Sequence, residues 1–148
     1  MDFRRYLRDY RDPRQLSQIL ALIGKGILEL HSLGYVHRDL KPDNIVLNLR
    51  PLEVRIIDFD RVQLRSQSTK GTVMGTPGYF PIQNYLKDGS TKWDAWSYAA
   101  IILESDLRKD GYLLVNREQQ AVKIARAHTE EKETCPQLRE LLNYTVML

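Results

Sequence analysis

His37-Arg38-Asp39-Leu40-Lys41-Pro42-Asp43-Asn44 is the stretch on which the reading of this chain turns. Its eight residues include a carboxylate that can act as a base, an ammonium, and a carboxamide that can ligate a metal. Pro42 stiffens the run and disfavours helix at Lys41. Nineteen positions beyond Asp39 a second acidic site follows, Ile56-Ile57-Asp58-Phe59-Asp60. Between the two lie short runs rich in β-branched residues, Ile45-Val46-Leu47 and Val54-Arg55-Ile56-Ile57, separated by Asn48 to Glu53 with Pro51 in the turn. They predict a small hairpin with Asn44 just before its first strand and Asp58 just after its second. Two oxygen ligands would then sit at one end of a rigid element, as a Mg²⁺ site requires.

Two later stretches extend the pattern, Gly75-Thr76-Pro77-Gly78-Tyr79-Phe80-Pro81-Ile82-Gln83 and Trp93-Asp94-Ala95-Trp96-Ser97-Tyr98. In order and spacing the four stretches resemble the catalytic loop (H-R-D-L-K-P-x-N), metal loop (D-F-G), G-T-P-x-Y-x-A-P-E segment and D-x-W-S-x-G helix of eukaryotic Ser/Thr protein kinases. The resemblance implies transfer of the ATP γ-phosphoryl to Ser or Thr of a protein, with ATP and Mg²⁺ as cofactors. It makes Asp39 the acceptor of the substrate hydroxyl's proton and Lys41 the cation beside the migrating phosphoryl. Asn44 and Asp58 become the Mg²⁺ ligands. Thr76 would sit near Asp39 and Lys41 and shape the substrate site, and the lysine itself favours Ser/Thr over Tyr kinases. His37 takes a structural role, and Asp94 is expected to tie the buried helix to catalytic-loop backbone. Residues 61–74 resemble an activation segment, with Ser66, Ser68, Thr69 and Thr72 as candidate phosphosites and Arg38 as their charge partner.

The chain also departs from the family. Asp60 stands where glycine is usual, restricting the loop and adding charge beside the metal ligand. Gln83 replaces a glutamate that normally forms a buried ion pair, and Ala99 replaces a glycine. No Gly-rich phosphate loop and no V-A-I-K lysine precede residue 37, and Lys25 belongs to a helical pattern. Residues 1–148 therefore read as a single kinase-like domain corresponding to the C-lobe, with the resemblance strongest over 13–105. Two functional expectations follow. One is a Ser/Thr protein kinase that is incomplete in this chain alone. The other is a non-catalytic, truncated pseudokinase acting as a protein-binding module. With a protein as substrate or partner, self-association through the face left by the N-lobe is expected as well.

The remaining patterns give a mainly α (α+β) class with the small hairpin. Phe3, Tyr6, Leu7 and Tyr10 predict a short amphipathic helix, whose arginines, interrupted by Asp2, Asp9 and Asp12, read as a solvated face. Leu16, Ile19, Leu20, Ile23, Ile27 and Leu30 mark the apolar side of a helix over 13–33. Asp12 caps its start, Gly34 stops it, and Gly24 and Gly26 permit close packing against another helix. His31 reads as packed or capping. Residues 93–103 are apolar nearly all round and predict a central buried helix, and two further helices are expected at 118–129 and 136–144. The net charge of +3 suits an anionic ligand but marks no nucleic-acid patch. One cysteine, Cys135, excludes an intramolecular disulfide, and neither a secretory h-region nor a span of ~20 apolar residues is seen. An intracellular, cytoplasmic protein without membrane partners is expected.

Overall fold

The structure, a computed structural model, describes residues 1–10, 12–64, 75–76, 79 and 92–107. In chain order these form α1 (Phe3–Asp9), α2 (Pro13–Ser32), β1 (Tyr35–Val36), a single 3₁₀ turn (Pro42–Asn44), β2 (Ile45–Leu49), β3 (Leu52–Ile56), β4 (Gln63–Leu64) and α3 (Lys92–Leu107). The helices expected at 118–129 and 136–144 lie outside the described residues, as do Ser66, Ser68, Thr69, Thr72 and Gln83.

Helix α2 begins where Asp12 accepts hydrogen bonds from the backbone N–H of Arg14, at 2.9 Å, and of Gln15, at 3.4 Å. Pro13 at its first position has no N–H to leave unpaired. It ends at Gly34, whose φ of +89° is the left-handed geometry that favours glycine at a helix stop. Ile19, Leu20, Ile23 and Ile27 are buried, as their spacing predicts. The stripe then continues through His31 while Leu30 is half-buried, because His31 has a buried partner described below.

Helix α3 is buried along its length, from Trp93 through Ser105, wherever its side chains are described. It comes so close to α2 that a methyl group on Gly24 would lie 2.6 Å from the Tyr98 hydroxyl. That hydroxyl donates to the Leu20 carbonyl one turn earlier on α2. Gly26 faces a strand instead of a helix, Ile56 of β3, at 3.2 Å.

The strands form two antiparallel pairs. Tyr35 and Val36 of β1 face Leu64 and Gln63 of β4. The hairpin of β2 and β3 is longer than its apolar runs suggest, with pairing that extends through Asn48–Glu53 to Leu49–Leu52. Only Arg50 and Pro51, joined by a cis peptide, remain as the turn. Asn48 and Glu53 face solvent, while Leu49 and Leu52 pack against the core, so the polar pair belongs to the ladder. The chain start adds to this sheet: the Met1 amino group donates to the Leu47 carbonyl at 3.0 Å, and Leu47 N–H donates to the Met1 carbonyl at 2.7 Å. Helix α1 is capped by Asp2 and buries Phe3, Tyr6 and Leu7, while Tyr10 remains exposed and stacks on Tyr6. Among the described residues no helix is long and apolar enough to cross a membrane.

The Gly24 contact sets the first prediction. Overpacking costs ~1–3 kcal/mol, and the helical gain of alanine over glycine, at most ~1 kcal/mol, offsets only part of it. Gly24→Ala should therefore lower the midpoint of urea unfolding, whereas Gly26→Ala, which meets only the flexible end of Ile56, should leave it within error or raise it.

Candidate active site

The site is assembled on one buried carboxylate. Asp94, fully buried near the start of α3, accepts from the His37 backbone N–H at 2.8 Å on Oδ2 and from the Arg38 backbone N–H at 2.9 Å on Oδ1. His31 Nε2 donates to Oδ2 at 2.8 Å. One side chain thus joins α2, α3 and the loop. Arg38 is held at a φ of +73°, uncommon for a residue with a Cβ, and the clamp on the backbone N–H groups supports it there.

His37 secures the same loop from its other side. Its Nε2–H donates to the Ile57 carbonyl at 2.9 Å and its Nδ1 accepts from the Asp39 backbone N–H at 3.1 Å. These partners require the neutral Nε2–H tautomer. Phe59 packs edge-on against the ring. His37 is therefore structural, as the sequence implies, and joins the Asp39 loop to the Asp58 loop.

Asp39, Lys41 and Thr76 come together as expected. The Thr76 hydroxyl donates to Asp39 Oδ1 at 2.9 Å and accepts from Lys41 Nζ at 2.8 Å. Lys41 Nζ lies 4.0 Å from Asp39 Oδ2. Asn44 Nδ2 donates to the Asp39 carbonyl at 2.9 Å and, more weakly, to its Oδ2 at 3.4 Å. This fixes the amide's orientation and leaves its Oδ1 as an acceptor without a partner among the described residues. The Ile57 N–H donates to the Asn44 carbonyl at 2.9 Å, so the hairpin brings Asn44 and the Asp58 loop to one end, as its sequence predicts. Asp58 is exposed, has a φ of +62°, and accepts only a 3.4 Å contact from the Asp60 N–H among the described residues.

These donors fit Mg²⁺. The ion is hard, takes oxygen ligands, and is ordinarily held by one or two protein groups together with water and phosphate oxygens. Asn44 Oδ1 and the Asp58 carboxylate would supply such a pair. No group of three or more His, Cys, Asp or Glu that could hold a metal occurs among the described residues.

Arg38 is almost fully buried, with its guanidinium 5.2 Å over the Trp93 ring. Its Nε and Nη2 have no hydrogen-bond partner among the described residues. Burial, and then the neighbouring Arg61, push its pKa below the ordinary arginine value, with Asp94 offsetting part of this. The phosphosites proposed as its partners lie outside the described residues.

The arginine run of α1 corrects the sequence reading. Arg5 and Arg8 do lie in water beside Asp9, but Arg4 does not belong to a solvated face. Its Nε donates to both Asp43 oxygens at 2.9 Å, its Nη1 to Glu104 Oε1 at 2.9 Å, and its Nη2 to the Tyr79 hydroxyl at 2.9 Å. Tyr79 in turn donates to Glu104 Oε2, and Ser97 donates to the Tyr79 carbonyl. Burial would lower the Arg4 pKa, but Tyr79, Asp43 and Glu104 raise it above the ordinary value. Burial, with Glu104 beside it, raises that of the Tyr79 phenol. The network reaches Asp39 through the Tyr79 N–H, which donates to the Thr76 carbonyl at 3.0 Å. No local signal identifies Arg4, whose partners lie 39, 75 and 100 residues away in sequence. Arg61, one residue of a polar segment in sequence, likewise carries no local signal, yet its Nε lies 3.9 Å from Asp39 Oδ2.

The family model described as Protein kinase domain matches residues 2–144. RGS domain-containing serine/threonine-protein kinase A of Dictyostelium discoideum is 35% identical over 111 residues, covering 72% of this chain and 10% of that protein. CBL-interacting serine/threonine-protein kinase 14 of Arabidopsis thaliana is 32% identical over 139 residues, covering 87% and 30%. Mitogen-activated protein kinase kinase 7 of Arabidopsis thaliana is 35% identical over 105 residues, covering 66% and 34%. The chain thus spans about a third or less of the length of these curated relatives.

Removing the Asp94 carboxylate would leave two backbone donors and His31 without their acceptor. Breaking one partner of a buried charged group costs ~3–5 kcal/mol. Asp94→Ala should lose about that much in denaturant unfolding, or fail to fold, while Asp43→Ala, at an exposed acceptor, should lose ~1 kcal/mol or less.

Proposed function

The chain belongs to the protein kinase family, and on that premise we propose that it supplies the C-lobe half of a Ser/Thr phosphoryl-transfer site. The observation that carries this reading is the Thr76 hydroxyl, which donates to Asp39 Oδ1 while Lys41 holds it from the other side. A substrate hydroxyl needs the same things: a carboxylate oxygen to take its proton and a cation beside the oxygen that attacks. Asp39 is the base and Lys41 the cation. Asn44 Oδ1 and Asp58 would hold Mg²⁺, which would supply neutralisation of the phosphate charge of ATP. Thr76 shapes the position of the incoming hydroxyl. Arg38, buried and with its Nε and Nη2 unpaired among the described residues, would take a phosphate on the 61–74 segment, Thr72 among the candidates.

Phosphoryl transfer rests almost wholly on positioning and electrostatics, and good orientation contributes ~7–11 kcal/mol. Residues 1–148 carry a base and metal ligands but neither a Gly-rich phosphate cover nor a V-A-I-K lysine. On their own they should bind Mg²⁺-ATP weakly and turn over far below the ~1–100 s⁻¹ of kinases. The test is labelled ATP with a generic Ser/Thr protein substrate, using recombinant residues 1–148 against Asp39→Asn. A positioned base is worth ~10²–10⁴ in rate, so any transfer observed should vanish in that variant. Transfer that survives Asp39→Asn would remove Asp39 as the base. Mg²⁺-ATP binding should fall in Asp58→Ala more than in Asp60→Ala. Complete absence of nucleotide binding would favour the pseudokinase alternative.

A second reading concerns partners. Leu33, Tyr35, Ile57, Phe59 and Leu64 are large apolar side chains left exposed, and Tyr35 and Leu64 face each other across β1 and β4. Exposed apolar patches mark interfaces, and we propose self-association through this face in a cytoplasmic protein. Sedimentation of residues 1–148 should show a concentration-dependent dimer that Phe59→Glu weakens; a strict monomer at high concentration would reject it.

A further inference from the structure

Asp39 faces two cations on one oxygen. Lys41 Nζ is 4.0 Å and Arg61 Nε 3.9 Å from Asp39 Oδ2, while Oδ1 is occupied by the Thr76 hydroxyl. The two cations come from different loops. Lys41 follows Asp39 in sequence, whereas Arg61 is brought back by the turn after Asp58, closed by the Val62 N–H donating to the Phe59 carbonyl at 3.1 Å.

At 3.9 Å the Arg61 contact is an ion pair without a hydrogen bond. The guanidinium makes no hydrogen bond to any described residue, and the side chain is 38% exposed. A planar fork of N–H donors is thus presented, unused, beside the carboxylate that the proposed chemistry uses. Its nearest charged neighbours explain why it stays open. Arg38 repels it from the buried side, and Asp39 attracts it through an oxygen shared with Lys41 and Asn44. Asp60, the residue before it, adds an exposed carboxylate where the phosphates would lie, and the Arg61 charge offsets it.

We propose that Arg61 is a second phosphoryl-binding residue, gripping the terminal phosphoryl of the bound nucleotide together with Lys41. A planar guanidinium can hold two phosphoryl oxygens at once, which the Lys41 ammonium, acting as a point charge, does not. The assignment rests on the kinase reading for its location, but the chemistry recognised, a terminal phosphoryl next to Asp39, can be tested without turnover.

The experiment titrates residues 1–148 with ATP, ADP, tripolyphosphate and O-phosphoserine amide by isothermal calorimetry, singly and in competition, with Mg²⁺ present. It is repeated with Arg61→Ala and Arg61→Lys, each checked for native circular dichroism. Arg61→Ala should weaken ATP and tripolyphosphate about tenfold and ADP less than about twofold, and Arg61→Lys should restore only part of the loss. An unchanged ratio of ATP to ADP affinity in Arg61→Ala overturns the proposal while leaving the kinase reading intact. If ATP does not bind but tripolyphosphate binds and weakens in Arg61→Ala, the phosphoryl grip stands and the nucleotide reading falls. Phosphoserine amide competing as well as tripolyphosphate would reassign the grip to a phosphorylated side chain and overturn the nucleotide assignment. Binding of neither ATP nor tripolyphosphate overturns both.

Discussion

One buried carboxylate holds the site together. Asp94 has no exposed surface and accepts from two consecutive backbone N–H groups and from His31. A carboxylate in a low-dielectric interior is costly unless its lone pairs are occupied, and here donors from two other parts of the chain occupy them. The consequence is mechanical as well as electrostatic. With the N–H groups of His37 and Arg38 pinned, the loop keeps its positive-φ turn, and Asp39 and Lys41 leave that turn toward Thr76. His37 passes the constraint on to Ile57, and the Ile57 N–H passes it to Asn44. Asp39, Lys41, Asn44 and the start of the Asp58 loop therefore stand on one chain of hydrogen bonds that begins on α3.

The acidic residues of this region divide by what their lone pairs meet. Asp94 and Glu104 are buried and saturated, the second by Arg4 and Tyr79. Such groups organise structure and have little left to offer a ligand. Asp39 keeps one oxygen on Thr76 while the other faces cations at about 4 Å, and Asp58 stands in solvent with a single weak contact among the described residues. Chemistry can be expected where this division leaves unused valence, and the same reasoning applies to donors. Arg4 is spent on Asp43, Glu104 and Tyr79; Arg61, in contrast, has its hydrogen-bonding capacity still available among the described residues.

Individual residues show how far the chain could be read in advance. The start and stop of α2 were legible because Asp12, Pro13 and Gly34 act through local backbone geometry. The hairpin was legible in kind but short in extent, since Asn48 and Glu53 look like turn residues until each is seen opposite the other. Gly24 was legible as a place for close approach, but the atom that approaches, the Tyr98 hydroxyl, comes from 74 positions away. His31 outranks Leu30 on the buried stripe because of Asp94, which helical spacing alone does not reveal.

The sequence by itself determined what works over short range: the helices that cap themselves, the β-rich runs, and the types and spacing of residues in the Asp39 and Asp58 loops. Those loops carried the resemblance to protein kinases because their chemistry needs particular groups a few positions apart. Tertiary structure alone decided which charges are spent and which are left. Arg4, Arg8 and Arg61 are the same residue type in similar polar surroundings of sequence, yet one is locked between Asp43, Glu104 and Tyr79, one pairs with its neighbour in water, and one stands open beside Asp39. The physical reason is that a charge's role depends on its distance from partners and from solvent. Packing of segments far apart in sequence sets both distances.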